Sequence, residues 1–91
     1  MIRYVEDVTK KVSKGLIPHD IFIHINNAFT SIDMTKDLNL FDIKQIKLLN
    51  ETNRTYYRLR KGKHRAIFYI ENEDIKVVAL DEREDIYRKW Q

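Results

Sequence analysis

Residues 54–65 hold a dense group of basic side chains with no acidic residue among them. They are Arg54, Arg58, Arg60, Lys61, Lys63 and Arg65. Guanidinium groups form paired hydrogen bonds with phosphate oxygens and stabilise the extra negative charge of a pentacovalent phosphorus. A basic segment of this density can bind a nucleic acid by neutralising its phosphates. A solvated arginine-rich strand face has the same pattern, so these residues alone leave both interpretations open.

Two further groups of side chains could take part in proton transfer. Arg83 and Tyr87 are four residues apart, so on a helix they share one face. A phenol beside a fixed cation can stack on a base or donate a proton to a leaving oxygen, although an ordinary surface contact fits the same spacing. His64 lies next to Arg65, and histidine is the side chain most often used for general acid–base catalysis. Each group is therefore a candidate for the site.

The composition excludes other kinds of chemistry. The chain has no cysteine, which excludes thiolate nucleophiles, disulfides and cysteine metal sites. His19, His24 and His64 do not have the spacing of a metal site, and the two glycines do not form a phosphate-binding loop. We therefore expect a reaction that uses no metal and no cofactor.

The elements that must position these groups follow from hydrophobic patterning. Residues 2–5 predict a strand, residues 8–14 a short helix, and residues 21–32 a longer helix with one apolar stripe. A connecting segment with an extended piece at residues 45–49 follows. Period-two alternation then predicts strands at residues 57–60, 65–70 and 75–80, with Gly62 in a tight turn, and residues 84–90 predict a helical turn.

The expected fold is α+β in the order β-α-α-β-β-β, with helices packed on one face of a small, mostly antiparallel sheet and a short C-terminal helix. The 91 residues, 43% of them hydrophobic, suit a single domain over residues 1–91 with a net charge of +3. No signal-peptide pattern and no apolar run of about 18 residues is present, which predicts a cytoplasmic protein that does not bind membranes.

Residues 57–70, YRLRKGKHRAIFYI, resemble the central signature of the RelE/ParE toxin superfamily, which is Tyr-Arg-Leu-Arg, a glycine turn, and then Arg, apolar residues and Tyr. Residues 83–88 resemble the family ending, in which Arg and Tyr are four residues apart. Residues 44–49 resemble the short lysine- and leucine-containing piece that precedes the signature. Together these segments cover about the last half of the chain.

The resemblance implies the toxin of a type II toxin–antitoxin system and, in the RelE branch, a ribosome-dependent and metal-independent mRNA endoribonuclease. In such an mRNA interferase the substrate 2′-hydroxyl attacks the adjacent phosphate. By position, Arg65 would hold the phosphate, Arg58 and Arg60 would stabilise the transition state with help from Arg83, and Tyr87 would stack on or orient the base. The other expected RNA-binding residues are Arg54, Lys61, Lys63 and His64.

The implied partners are a cognate antitoxin, the ribosome with its mRNA, and operator DNA through the antitoxin complex. Glu82 stands where many members carry a histidine, and Tyr56 and Arg58 stand where some ribonucleases carry lysines. Because arginine, with a pKa above about 12, is a poor general base, proton abstraction falls to Glu82, His64 or another group. The alternatives are a ParE-like toxin that inhibits DNA gyrase and an inactive member that binds only its antitoxin.

Overall fold

A computed structural model describes residues 1–47 and 54–90 and contains a five-stranded sheet with three α-helices. In chain order, the elements are β1 (Ile2–Tyr4), α1 (Glu6–Ser13), α2 (His19–Thr35), one turn of 3₁₀ helix (Leu38–Leu40), β2 (Ile43–Ile46), β3 (Tyr56–Lys61), β4 (His64–Glu71), β5 (Asp74–Glu82) and α3 (Arg83–Trp90). The α+β class predicted from the sequence is confirmed. Within the described ranges, no helix is long and apolar enough to cross a membrane.

The sheet has the strand order β1-β5-β4-β3-β2 and is antiparallel except for the parallel pair of β1 and β5. The extended piece predicted at residues 45–49 corresponds to β2, which begins earlier, at Ile43. Leu48 and Leu49 of that prediction lie outside the described residues. β2 therefore forms one edge of the sheet beside β3.

Helices α1 and α2 cover one face of the sheet. The stripe of α2 predicted from the sequence is buried there through Ile25, Ala28, Phe29 and Ile32. Phe29 packs edge-on against Phe68 of β4, with the ring centroids 5.0 Å apart. This face contains most of the core, because each fully buried aromatic or branched side chain removes a large apolar area from water.

Helix α3 packs on a second, smaller core. Its Ile86 is buried against Tyr56, Ile67 and Ala79 of the sheet. The side chains of a strand alternate between the two faces of the sheet. Ile67 therefore lies on the opposite face from Ala66 and Phe68, which belong to the core under α1 and α2. The C-terminal helix thereby places Tyr87 in a groove with Arg58 of β3.

A two-residue turn joins β3 to β4. Gly62 has a φ of +58°, a left-handed conformation that glycine adopts without a steric penalty. Glycine at the first central position is typical of the tight turns that match the twist of a hairpin. The turn pairs Arg60 with Arg65 across the two strands and so brings two arginines to one end of the sheet.

Candidate nucleic-acid interface

Four of the side chains singled out from the sequence converge where β3 and β4 meet α3. Arg58 and Tyr87 line the same groove, which has a volume of about 360 Å³. The Arg83 guanidinium carbon lies 5.2 Å from the centroid of the Tyr87 ring. The positive charges of Arg58, Arg60 and Arg83 all act on Arg65. We call Arg58, Arg65, Arg83 and Tyr87 the arginine–tyrosine cluster.

Arg65 is the most buried cation of this cluster, with 7% of its surface exposed. Its Nη1 donates hydrogen bonds to the carbonyl oxygens of Gly62 at 2.7 Å and His64 at 2.9 Å. No carboxylate of residues 1–47 or 54–90 lies within 4 Å of it. Burial, and then repulsion by Arg58, Arg60 and Arg83, lowers the pKa of Arg65. Because a buried cation without a counter-charge is costly, a bound anion would stabilise this arrangement.

Tyr87 has 46% of its surface exposed and is the acid–base group next to these arginines. A hydrogen bond that Arg83 can donate to the phenolate lowers the pKa of Tyr87, and the charge of Arg83 acts in the same direction. The charges of Arg58 and Arg65 lower it further. The phenolate form is therefore more populated at neutral pH than in an ordinary tyrosine, as expected where opposite charges favour ionisation.

The groove is completed by β2 and the residue that follows it. Lys44, Gln45, Ile46 and Lys47 line it opposite Tyr87. Neither lysine has a carboxylate within 4 Å in the described part of the chain. The sequence interpretation placed no site residue in this segment. Its only signal was two lysines in a short extended piece, which is common on any edge strand.

Asp42 contacts both arginines of β3. Its Oδ1 accepts a hydrogen bond from Arg58 Nη2 at 3.3 Å, and its Oδ2 lies 3.2 Å from Arg60 Nε. Arg58 Nε is buried and has no hydrogen-bond partner among the residues that are described. This aspartate precedes β2 in a segment without periodicity, so nothing in the sequence pointed to it.

The other basic residues predicted to bind RNA are engaged in different places. Arg54 pairs with Glu71 at 3.2 Å and lies over the ring of Tyr69, 4.0 Å from its centroid. Lys63 lies 3.5 Å from Glu82. Lys61 is exposed and borders a separate cavity between α2 and β3. The structure therefore does not bring these three into the arginine–tyrosine cluster.

His64 and Glu82, the two proton acceptors considered from the sequence, are paired across β4 and β5. Because successive side chains of a strand point to opposite faces of the sheet, both His64 and Glu82 lie on the face opposite to Arg65. His64 is only 3% exposed, and its Nδ1 has no partner among the described residues. Neither group is among the main causes of the lowered pKa of Arg65 or of Tyr87.

The chain matches no protein-family model and no curated protein. It is similar to solved structures along nearly its whole length. A chain of the RelB–RelE antitoxin–toxin complex from Methanococcus jannaschii matches with a TM-score of 0.70 and 23% identity, over 98% of this chain and 99% of that one. A chain of the archaeal RelE–RelB complex from Pyrococcus horikoshii OT3 matches with a TM-score of 0.69 and 19% identity, over 90% and 92%. At these identities the likeness establishes the fold, in agreement with the resemblance found in the sequence.

Proposed function

We propose that this chain is the toxin of a type II toxin–antitoxin system and that it inhibits translation by cleaving mRNA on the ribosome. The arginine–tyrosine cluster carries the proposal, because it combines Arg65, a buried cation without a counter-charge among the described residues, with Tyr87, a phenol of lowered pKa that lines the groove. The shared fold with chains of RelE–RelB complexes supports the toxin class.

The proposed reaction is a transesterification within the RNA. The 2′-oxygen attacks the adjacent phosphorus, the O2′–P bond forms, and the P–O5′ bond breaks to leave a 2′,3′-cyclic phosphate and a 5′-hydroxyl. Arg65 is suited to bind a non-bridging oxygen, because its guanidinium is held rigidly by two carbonyl groups. Arg58 and Arg83 would stabilise the charge that develops at phosphorus.

Tyr87 is the best-supported acceptor for the proton of the 2′-hydroxyl. Its pKa is lowered by Arg83, Arg58 and Arg65, and a general base is most effective when its pKa approaches the working pH. His64 and Glu82 have no such link to the cluster, which favours Tyr87 over both. The proton taken up by Tyr87 can later pass to the departing 5′-oxygen.

A cognate antitoxin is the expected protein partner. The chains of similar fold come from complexes of RelE with RelB, which are toxin–antitoxin pairs by their description. An antitoxin with acidic residues at the groove would supply a counter-charge to Arg65, and so would block access of RNA to the cluster.

Translation in a cell-free system tests the proposal. We expect wild-type chain to arrest translation and to cut ribosome-bound mRNA, leaving fragments with 2′,3′-cyclic phosphate ends. Arg65→Ala and Tyr87→Phe should each reduce cleavage by at least about a hundredfold, because each removes a group that acts in the transition state. Arg3→Ala is the matched control, since Arg3 pairs with Asp74 on β1 and β5, and it should cleave like wild type.

Two other results would point to the alternative functions. Intact mRNA together with gyrase-dependent DNA breaks would replace the ribonuclease by a ParE-like toxin. Intact mRNA with no effect on growth, but tight binding of an antitoxin, would indicate an inactive member. Either result would refute the proposed cleavage.

A further inference from the structure

Asp42 is fixed to the strand that carries the arginines. Its backbone carbonyl accepts a hydrogen bond from the Arg60 amide at 3.0 Å, just beyond the paired residues Ile43 and Leu59 of β2 and β3. This bond holds the main chain of Asp42 beside β3. The position of its carboxylate is therefore set by the sheet rather than by a flexible loop.

The carboxylate is the only one, in residues 1–47 and 54–90, within 4 Å of any of the four arginines Arg58, Arg60, Arg65 and Arg83. Its two oxygens are divided between Arg58 and Arg60, at 3.3 and 3.2 Å. The side chain of Arg58 is 15% exposed, whereas that of Arg60 is 56% exposed. Asp42 therefore contacts one arginine inside the groove and one outside it.

Arg58 experiences opposing forces in the groove. The nearby charge of Arg65 repels it, and its buried Nε has lost water without gaining a partner among the described residues. An arginine has a long side chain that would relieve both costs by turning towards solvent. The hydrogen bond from Nη2 to Asp42 is the contact that opposes this movement.

We infer that Asp42 is a positioning residue for the proposed RNA cleavage, which holds the Arg58 guanidinium in the groove where the RNA phosphate is proposed to bind. This inference rests on the proposed function. Asp42 itself does not touch the RNA. It acts through Arg58, and its own negative charge weakens the attraction of the groove for RNA.

The two effects of Asp42 predict that its replacement lowers kcat without raising KM. In Asp42→Asn, Arg58 loses its charged partner, so kcat should fall by about tenfold or more, the rate equivalent of one charge-assisted hydrogen bond. The variant also gains one unit of positive charge, so KM for mRNA-programmed ribosomes should stay the same or fall. A general loss of folding would instead lower the melting temperature, which should stay close to that of wild type.

Kinetics of six variants, together with NMR of arginine side chains, test the inference. Asp7→Asn is the matched control: it removes an equal charge from α1, where Asp7 lies 3.5 Å from Lys11, and it should leave kcat unchanged. Asp42→Asn should have no further effect on single-turnover cleavage in an Arg58→Met background and its full effect in an Arg60→Met background. The Arg58 Nε–H signal should exchange faster with water in Asp42→Asn than in wild type.

The outcomes separate this inference from the proposed function. A wild type that cleaves no mRNA on the ribosome would refute both. An active wild type with unchanged kcat in Asp42→Asn, or with a loss that is coupled to Arg60 instead of Arg58, would overturn the inference alone. Unchanged exchange of the Arg58 Nε–H would also overturn it, because Asp42 would then not be what holds the guanidinium.

Discussion

Tyr87 depends on the arginines around its phenol for its acid–base properties. Hydrogen bonding and charge from Arg83 are the largest causes of its lowered pKa. We therefore expect Arg83→Gln to raise the pKa of Tyr87. The increase of the cleavage rate with pH should then occur at higher pH, because a larger fraction of the phenol stays protonated. Phenolate absorbance in a pH titration, with Tyr87→Phe subtracted, measures this change. An identical titration in wild type and Arg83→Gln would contradict it.

At the residue scale, the sequence pointed to the members of the candidate site that lie on regular elements. The alternation of residues 57–60 correctly separated Tyr57 and Leu59, which pack against the core, from Arg58 and Arg60. The same reasoning did not separate His64 from Arg65, although neighbouring side chains of a strand point in opposite directions. Asp42 was missed, because its contact with Arg58 spans 16 residues and depends on the register of β2 and β3.

The turn between β3 and β4 connects local conformation to the site. Gly62 has a positive φ, and its carbonyl accepts the 2.7 Å hydrogen bond from Arg65. Gly62→Ala should lower the free energy of unfolding by about 1 kcal/mol, since an alanine is strained at this φ. It should also reduce mRNA cleavage, because the strained turn moves the carbonyl that holds Arg65.

Gly15→Ala provides the matched control for that prediction. Gly15 also has a positive φ, of +75°, and, as at Gly62, an added methyl group would meet no atom within 4 Å. Chemical denaturation should therefore show a similar loss of stability for both variants, whereas only Gly62→Ala should lose cleavage. Equal cleavage by the two variants at matched folded concentration would show that the turn does not position Arg65.

At the element scale, the sequence predicted the elements that depend on residues close in the chain and missed the contacts between distant residues. The apolar stripe of α2 and the hairpin of β3 and β4 arise from residues close in the chain, so their patterns were sufficient. The parallel pairing of β1 with β5 joins Ile2 to Ile75 and has no local signal. The second core under α3 was not predicted either, because Ile86 meets Ile67 only after the sheet has formed.

The distribution of charge across the molecule distinguishes the groove from the rest of the surface. Elsewhere in the described residues, most lysines and arginines are paired with acids, as in Lys10–Glu6 at 2.8 Å and Lys11–Asp81 at 2.6 Å, and Lys14, Lys61 and Lys89 are the exceptions. At the groove and the arginine–tyrosine cluster, Asp42 is the only acid within 4 Å of an arginine or lysine of the described chain. Of the seven lysines and arginines without an acidic partner among the described residues, four therefore lie where RNA is proposed to bind: Lys44, Lys47, Arg65 and Arg83.

This concentration predicts how RNA binding responds to salt. Lys47 lines the groove and has no acidic partner in the described ranges, so it is free to neutralise an RNA phosphate and to release its counterion. For a short 2′-O-methyl RNA, which cannot be cleaved, Lys47→Gln should weaken binding and reduce the slope of log affinity against log salt by about 0.7. Lys10→Gln removes the same charge from a paired lysine of α1 and should leave the slope unchanged.

Fluorescence anisotropy measures these slopes. Equal slopes for Lys47→Gln and wild type would mean that RNA does not follow this groove. Equal losses of slope in Lys47→Gln and Lys10→Gln would indicate that RNA is attracted to net charge alone.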